Sequence, residues 1–127
     1  MKKSIRGIVK KRKGLGRKLG YPTANIEVDA DADEGVFVGY TRIKNSTLPS
    51  IIFIGAPEMF GDKEKRLESH IFDFDGDLYR KEIEVEIIKK LRDNRKFESA
   101  EALVEQMKVD EKQARGYFKD TLGHSTG

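Results

Sequence analysis

The sequence predicts a mainly-β domain, an antiparallel barrel or sandwich, with one helix packed on it at the carboxyl end. In residues 82–88, EIEVEII, glutamates alternate with apolar residues, which is typical of a strand with one solvated face. After Phe97 the pattern changes, and apolar residues recur at helical spacing at Ala100, Leu103, Met107, Ala114 and Phe118. Strands that precede a helix without βαβ alternation favour an antiparallel sheet.

The other elements follow from local composition and turn residues. Strands are predicted over residues 4–10, 35–43, 48–55, 66–74 and 82–88. Turns are predicted at Asn45-Ser46 and at Asp75-Gly76-Asp77. The helix is predicted over residues 98–120, with a break near Val109 and Asp110 and with one face covering an opening of the barrel. The predicted core comprises Ile8, Val36, Val38, Ile52, Ile54, Ile71, Ile83, Val85 and Ile87.

Composition excludes several classes of protein. The 127 residues fit one domain, which we expect to span 1–127. No apolar run approaches the ~18 residues that a membrane-spanning helix needs. There are no cysteines, which excludes disulfide scaffolds, thiolate metal sites and cysteine catalysis, and suits the cytoplasm. The basic start of the chain lacks the apolar region of a signal peptide.

Charge is unevenly distributed along the chain. The net charge is only +3, but residues 1–18 hold nine Lys or Arg and no acid, whereas residues 26–34 hold five acids and no base. Such asymmetry is typical of a charged partner, either nucleic acid or a nucleoside triphosphate. It is equally typical of a solvated face.

A glycine-rich basic loop begins at Gly14 with GLGRKLG. Its spacing matches neither of the usual phosphate-loop motifs, and it does not lead into a predicted helix. Backbone N–H groups freed by glycine conformations can nevertheless form a concave anion site. Arg17 and Lys18 would add charge-assisted hydrogen bonds to phosphate. The alternative is an ordinary solvated hairpin.

A rigid turn follows the basic loop. Pro22 fixes its own φ and restricts the preceding residue to extended geometry. In an extended segment the side chains of Thr23 and Asn25 share a face. A hydroxyl and an amide carbonyl are hard oxygen ligands that suit Mg²⁺, which fills its remaining positions with phosphate and water. An ordinary turn is the alternative interpretation of these residues.

Several segments resemble riboflavin kinases of the bacterial and eukaryotic type. GRKLGYPTAN (16–25) resembles the signature G-R-x-L-G-[FY]-P-T-A-N, and GVFVGY (35–40) resembles a G-[VI]-Y strand. LESHIFDFDGDLY (67–79) resembles E-x-H-[IL]-x-D-F-x-x-D-[LF]-Y. LRDNRKFESAEALVEQMKVD (91–110) resembles L-R-x-x-x-K-F-x-S-x-E-x-L-x-x-Q-[IM]-x-x-D. These segments keep the family's order and spacing over nearly the whole chain.

The resemblance implies a fold and a reaction. The implied fold is a six-stranded antiparallel barrel of Greek-key type with a C-terminal α-helix. The implied reaction transfers the γ-phosphoryl group of ATP to the 5′-hydroxyl of riboflavin, giving FMN and ADP, with Mg²⁺ or another divalent metal. The expected partners are these small molecules alone, with no nucleic acid and no membrane, and the expected protein is a monomer. Because Met1 directly precedes the first strand, FAD synthesis is not expected.

The resemblance also assigns site residues. The metal ligands fall on Thr23 and Asn25, and the catalytic base falls on Glu68. In the predicted strand 66–74, Glu68 shares a face with His70, Phe72 and Phe74, and His70 is interpreted as structural. The remaining substrate-binding positions are Gly14, Gly16, Arg17, Lys18, Gly20 and Pro22 around the nucleotide, and Arg92, Arg95 and Phe97 in a flap beside the flavin.

Four positions depart from the family pattern. A usual glycine is replaced by Arg12, and a usual asparagine by Phe53. The usual P-T-F becomes Pro57-Glu58-Met59-Phe60, and the usual Y-G-K becomes Tyr-Arg-Lys with Arg80. These departures leave open a flavin-binding module without turnover as an alternative to the kinase. The nine basic residues at the start of the chain leave open a second alternative, a basic β-barrel that binds nucleic acid.

Overall fold

A computed structural model describes residues 3–10, 24–29, 31–56, 65–72, 74 and 76–126 of the chain. In this described part, six strands precede one helix. The strands are β1 (Lys3–Ile8), β2 (Ala24–Glu27), β3 (Gly35–Ile43), β4 (Ser46–Gly55), β5 (Arg66–Ile71) and β6 (Glu82–Arg92), and the helix is α1 (Ala100–Thr126).

The strands form one antiparallel sheet in the order β1-β6-β3-β4-β5-β2. Strands β3, β4 and β5 are consecutive neighbours, and β6 returns to lie beside β3, which is the Greek-key arrangement. The two edge strands approach each other where Lys10 donates its backbone N–H to the carbonyl of Asn25 over 2.8 Å. The implied six-stranded barrel is therefore confirmed, and it is nearly closed between β1 and β2.

Apolar side chains fill the inside of the barrel. Ile52, Ile54, Ile71, Ile83 and Val85 are buried there as predicted, and Ile87 is partly buried against them. The prediction for the first strand is wrong, since Ile8 is 47% exposed and Val9 is 5% exposed. Successive residues of a strand face opposite sides, so a shift of one residue exchanges the buried and exposed sets.

A second apolar cluster lies on the outside of the sheet, beneath α1. Val38 on β3 packs there with Phe72, Ala114 and Phe118. The helix therefore covers the outer face of the sheet, and the prediction that it covers an opening of the barrel is wrong. The outer residues of β3, β4 and β6 are apolar at this point, so a second layer is needed to remove them from water. Val36, another residue of the predicted core, is buried as well, at 2% exposure.

The helix is longer than predicted and continuous. It begins after Ser99, whose Oγ accepts a hydrogen bond from the Ala102 N–H over 3.1 Å, as an N-cap does. The predicted break near Val109 and Asp110 is wrong, because the Asp110 carboxylate bonds to Arg92 and Gln106 and does not disturb the helix backbone. In the described part of the chain, no helix is long and apolar enough to cross a membrane.

Several strand predictions need correction. The four residues of β2 lie outside the predicted strands, but they pair with β5. Strand β5 ends at Ile71, and the next residue, Phe72, turns beneath the helix and donates its N–H to the Pro49 carbonyl over 3.0 Å. Strand β6 extends to Arg92, and its Glu86, expected to face solvent, is only 6% exposed because it pairs with Arg42. The predicted strand 35–43 is confirmed with the same bounds, whereas β1 ends at Ile8 instead of residue 10 and β4 begins at Ser46 instead of residue 48.

Candidate active site

Five residues form a row across the outer face of the sheet. In the strand pairing, Asn25 lies opposite Glu68, Glu68 opposite Phe53, Phe53 opposite Val36, and Val36 opposite Arg92. Directly opposed residues share a face of the sheet. Neighbouring strands are about 4.8 Å apart, so the strand of Glu68 and the strand of Arg92 are roughly 14 Å apart along the row. Residues that lie as far apart in sequence as Asn25 and Arg92 therefore line one surface.

The amide of Asn25 and the carboxylate of Glu68 lie side by side on this surface. Ala24 and Ile26 point into the barrel core, so the intervening Asn25 points outward, and it is 6% exposed. Glu68 alternates in the same way and is half-buried. Two of the sequence-predicted chemical groups are thus brought together, an amide oxygen that can bind a cation and a carboxylate that can accept a proton.

The predicted nucleotide loop falls outside the described residues. This applies to the metal ligand Thr23 and to the six substrate-binding positions Gly14, Gly16, Arg17, Lys18, Gly20 and Pro22. Among the described residues, no group of three or more His, Cys, Asp or Glu side chains could hold a metal ion. The oxygen atoms of Asn25 and Glu68 fit a hard cation such as Mg²⁺, which takes few protein ligands when phosphate supplies the others.

Arg92 is tied to the helix at the far end of the row. Its Nε and Nη2 donate to the two carboxylate oxygens of Asp110, both over 2.8 Å, and its Nη1 donates to the Asp93 carbonyl over 3.1 Å. The Asp110 side chain is 4% exposed and also accepts a bond from Gln106 over 3.0 Å. A bidentate pair of this kind restricts both partners. It holds the segment after β6 against α1.

The three predicted flap residues come together around an aromatic ring. The guanidinium carbons of Arg92 and Arg95 lie 5.9 Å and 5.1 Å from the centroid of the Phe97 ring. Arg95 also donates to Gln106 on α1 over 3.3 Å. A half-buried ring flanked by two cations forms a surface on which a planar aromatic molecule can stack.

An exposed carboxylate lies beside this flap. The Lys90 ammonium contacts the Asp93 carboxylate, and this hydrogen bond, together with the charge of Lys90, lowers the pKa of Asp93 below its ordinary value. Asp93 therefore stays ionised at mildly acidic pH.

Gly55 and Asn94 form a corner that the sequence patterns do not predict. The Asn94 amide donates to the Ile54 carbonyl over 3.0 Å and to Glu34 over 3.3 Å. A Cβ on Gly55 would lie 2.5 Å from the Asn94 amide nitrogen and 3.2 Å from Cζ of Phe53. The absence of a side chain at Gly55 lets the segment after β6 approach the end of β4. The departure at Phe53 was the only sequence signal that pointed here.

The aromatic neighbours predicted for Glu68 are arranged differently from the expectation. His70 is on the outer face with Glu68 and makes an edge contact with Phe72 at 5.7 Å between ring centroids. Phe72 follows the end of the strand and is buried beneath α1, where its ring meets that of Phe118 at 5.9 Å. Phe72 therefore belongs to the packing of the helix, and His70 connects that packing to the strand of Glu68.

A cleft of about 650 Å³ lies elsewhere, along the seam between β1 and β2. Its lining combines basic residues of the first strand, such as Arg6 and Lys10, with the acids Glu27, Asp29 and Asp31. The three carboxylates balance the three basic side chains of Lys3, Arg6 and Lys10, so the cleft has no excess positive charge to attract a phosphate group. The outer row combines a carboxylate, an amide and an aromatic flap, so it is a better candidate for the functional site than the cleft.

Sequence comparisons with known proteins identify a family for this chain. Residues 1–118 match the family model described as riboflavin kinase. The trifunctional protein RibF/MnmA of Mycoplasmoides gallisepticum is 39% identical over 117 residues, which are 90% of this chain and 18% of that protein. The RNA-binding riboflavin kinase RibR of Bacillus subtilis is 39% identical over 108 residues, 84% of this chain and 47% of that protein. The chain thus spans less than half the length of either relative.

A solved structure shows the same fold. The crystal structure of riboflavin kinase from Trypanosoma brucei superposes with a TM-score of 0.65 at 22% identity, over 91% of this chain and 79% of that one. Since the family model covers almost all of its 127 residues, the chain belongs to the riboflavin kinase family.

Proposed function

We propose that this chain, as a single kinase domain, transfers the γ-phosphoryl group of ATP to the 5′-hydroxyl of riboflavin, giving FMN and ADP. The observation that carries the proposal is the cross-strand pair of Asn25 and Glu68 on the outer face. Phosphoryl transfer requires mainly that the reactants are positioned and that charge on the transferring oxygens is neutralised. An amide oxygen beside a carboxylate supplies a cation ligand and a proton acceptor at one place.

Glu68 is the proposed general base. The 5′-oxygen of riboflavin attacks the γ-phosphorus, and the bond between that phosphorus and the β–γ bridging oxygen breaks. The electron pair of this bond leaves with ADP, and the hydroxyl proton passes to the Glu68 carboxylate. A half-buried carboxylate is suited to this task, because it is accessible to substrate and yet held by its strand.

Thr23 and Asn25 are the proposed ligands of Mg²⁺ or another divalent metal. When bound, the metal neutralises negative charge on the phosphate oxygens. Asn25 can present its side chain in a fixed direction, because Ala24 and Ile26 anchor the strand in the core on either side. Gly14, Gly16, Arg17, Lys18, Gly20 and Pro22 are proposed to hold the nucleotide.

The flap around Phe97 is proposed to bind the flavin. The cations Arg92 and Arg95 flank its ring, and Arg92 itself is fixed by Asp110. The row between Glu68 and Arg92 is long enough for an extended molecule with a planar ring at one end and a reactive hydroxyl at the other. We propose that the protein acts as a monomer in the cytoplasm.

The decisive test is product formation. The protein is incubated with riboflavin, ATP and Mg²⁺, and the flavins are separated and identified. FMN that forms in proportion to enzyme and requires ATP supports the proposal. Saturable quenching of riboflavin fluorescence without FMN would replace the kinase with a flavin-binding module.

A second candidate is binding of single-stranded RNA, which one surface favours. Tyr79 is 40% exposed with the Arg80 guanidinium carbon 5.1 Å from its ring centroid, and backbone hydrogen bonds join Val9 to Arg80 and Lys81. Aromatic rings beside cations stack on bases. The match to the RNA-binding RibR covers only 47% of that protein, so its RNA-binding part need not correspond to this chain. Oligonucleotide binding that weakens steeply with added salt would support this candidate, and its absence at low salt would reject it.

A further inference from the structure

Phe53 is an aromatic residue whose position is not explained by folding. It is half-buried on the outer face of β4, whereas its neighbours Ile52 and Ile54 point into the core. Two residues earlier, Ile51 packs beneath the helix, but Phe53 belongs to neither apolar cluster of the described residues. A large aromatic side chain that packs into neither apolar cluster is a candidate for contact with a ligand.

The neighbours of Phe53 are residues of the proposed active site. The residue opposite Phe53 on β5 is Glu68, and the residue opposite it on β3 is Val36. Val36 in turn lies opposite Arg92 on β6. The Phe53 ring extends along the strand until its Cζ lies 3.2 Å from the point that a Cβ of Gly55 would occupy. The Asn94 amide approaches the same point. The ring thus lies between the proposed base and the segment that carries the flap.

We propose that Phe53 forms the wall against which the isoalloxazine ring of riboflavin packs, and that it thereby sets the affinity for the flavin. This inference rests on the proposed function, because it takes the reacting hydroxyl to lie at Glu68. The ribityl chain separates that hydroxyl from the ring by several bonds. One interstrand step of about 4.8 Å from Glu68 therefore reaches the junction between chain and ring.

The chemistry of the residue is also specific. The family pattern has asparagine at this position, and an amide would offer hydrogen bonds to hydroxyl or carbonyl groups. A phenyl ring offers none, but it can stack on a planar aromatic ring and exclude water from it. The substitution therefore shifts the recognition of the acceptor from its polar groups towards its aromatic ring.

The test compares Phe53→Asn and Phe53→Leu with the control Val109→Asn, which changes an exposed apolar residue on α1. Two probes are used, riboflavin and lumiflavin, which keeps the ring system but lacks the ribityl chain. Their Kd values are measured by fluorescence quenching, and KM values are measured for riboflavin and ATP. Thermal unfolding of each variant shows whether it is folded.

Phe53→Asn is expected to raise the Kd of both flavins by a similar factor, roughly 3- to 10-fold, with the KM for riboflavin rising in parallel. Phe53→Leu is expected to lie between wild type and Phe53→Asn, because it keeps apolar contact without the aromatic face. The KM for ATP and the behaviour of Val109→Asn are expected to match wild type.

Two outcomes would overturn the inference. Unchanged affinity for both flavins in Phe53→Asn, with wild-type FMN formation intact, would remove Phe53 from the pocket and leave the proposed function standing. Weakened riboflavin binding with unchanged lumiflavin binding would place Phe53 against the ribityl chain. Failure of the proposed function itself would be seen separately, as wild-type protein that forms no FMN.

Discussion

Arg92 at the end of β6 and Asp110 in the middle of α1 are joined by two parallel hydrogen bonds of 2.8 Å. They connect the end of the sheet to the helix, and the segment 93–99 that carries the proposed flap lies between them in the chain. The guanidinium is occupied by this pair and by the Asp93 carbonyl. Arg92 therefore serves primarily to position the flap, and Phe97 and Arg95 are better placed to contact a ligand.

Asp110→Asn is expected to destabilise the protein by about 2–3 kcal/mol, because it weakens charged hydrogen bonds at a buried site. It is also expected to raise the KM for riboflavin more than the KM for ATP. Urea unfolding and steady-state kinetics measure these effects. The matched control is Glu111→Gln, which breaks a helical ion pair with Arg115 and is expected to cost less than about 0.5 kcal/mol. Equal losses in the two variants would contradict the role of the buried pair.

Glu68→Gln is expected to lower kcat by about 100-fold or more, because an amide cannot accept the hydroxyl proton. Riboflavin affinity should be retained, since the side chain keeps its size. FMN formation and fluorescence quenching separate these two quantities. Glu82→Gln, an exposed glutamate at the start of β6, is the control and should retain wild-type turnover. Normal turnover in Glu68→Gln would remove Glu68 from the mechanism.

Thr23→Val is expected to increase the Mg²⁺ concentration required for half-maximal activity by about 10-fold, because it removes one oxygen ligand from a cation that needs hard donors. A Mg²⁺ titration of FMN formation at fixed ATP measures the change. Thr47→Val, at an exposed position of β4, is the matched control. An identical metal requirement in the two variants would argue against Thr23 as a ligand.

Arg80→Gly is expected to stabilise the protein by about 1 kcal/mol. Arg80 has a φ of 72° at the third position of a turn closed by the Lys81 N–H and the Leu78 carbonyl over 2.9 Å, which is type II geometry. A side chain in this region costs about 1–2 kcal/mol, and the contact with the Tyr79 ring offsets part of that cost. The family pattern has glycine at this position.

Thermal unfolding of Arg80→Gly should show a Tm higher by about 4 °C. Lys81→Gly is the control, because Lys81 has an ordinary negative φ and a glycine there only adds freedom to the unfolded chain. It should lower the Tm. A lower Tm in both variants would show that the strain at Arg80 is outweighed by its contacts.

The titration of Asp93 is expected to have a midpoint below the ordinary aspartate pKa, because Lys90 stabilises the carboxylate. Since the pKa is lowered in the folded state, the contact contributes stability above the pKa of the unfolded chain. That contribution is lost as the pH falls through the lowered folded-state value. NMR titration of the carboxyl carbon should show the midpoint rising in Lys90→Met and unchanged in Lys108→Met. No difference between the two variants would exclude Lys90 as the cause.

Strands β3 and β6 and the face of α1 could be predicted because their patterns are local. The alternation around Ile83 and Val85 identifies both the strand and its buried side, and the spacing of Ala114 and Phe118 identifies the helix face. The four residues of β2 have no such pattern of their own. They are a strand because β5 offers them partners, and this pairing is between distant parts of the chain.

The residues of the candidate site could be named from the sequence only through a resemblance to a family. The residue types at Thr23 and Asn25 indicate oxygen ligands for a cation, but an ordinary turn is an equally good interpretation of the same residues. It could not show that Asp110 occupies the Arg92 guanidinium, or that Glu86 is buried against Arg42. Both pairs join residues that are far apart in sequence, and no single window contains the two partners.

The sequence by itself determined the class of fold, the alternation of its strands and the amphipathic helix, because these depend on the period of side chains along one segment. Only the tertiary structure decided that Asn25, Glu68, Phe53 and Arg92 stand in one row, and that the helix covers the outside of the sheet. The physical reason is strand register. A shift of one residue in any of these pairings would turn the affected side chains to the other face and disperse the site.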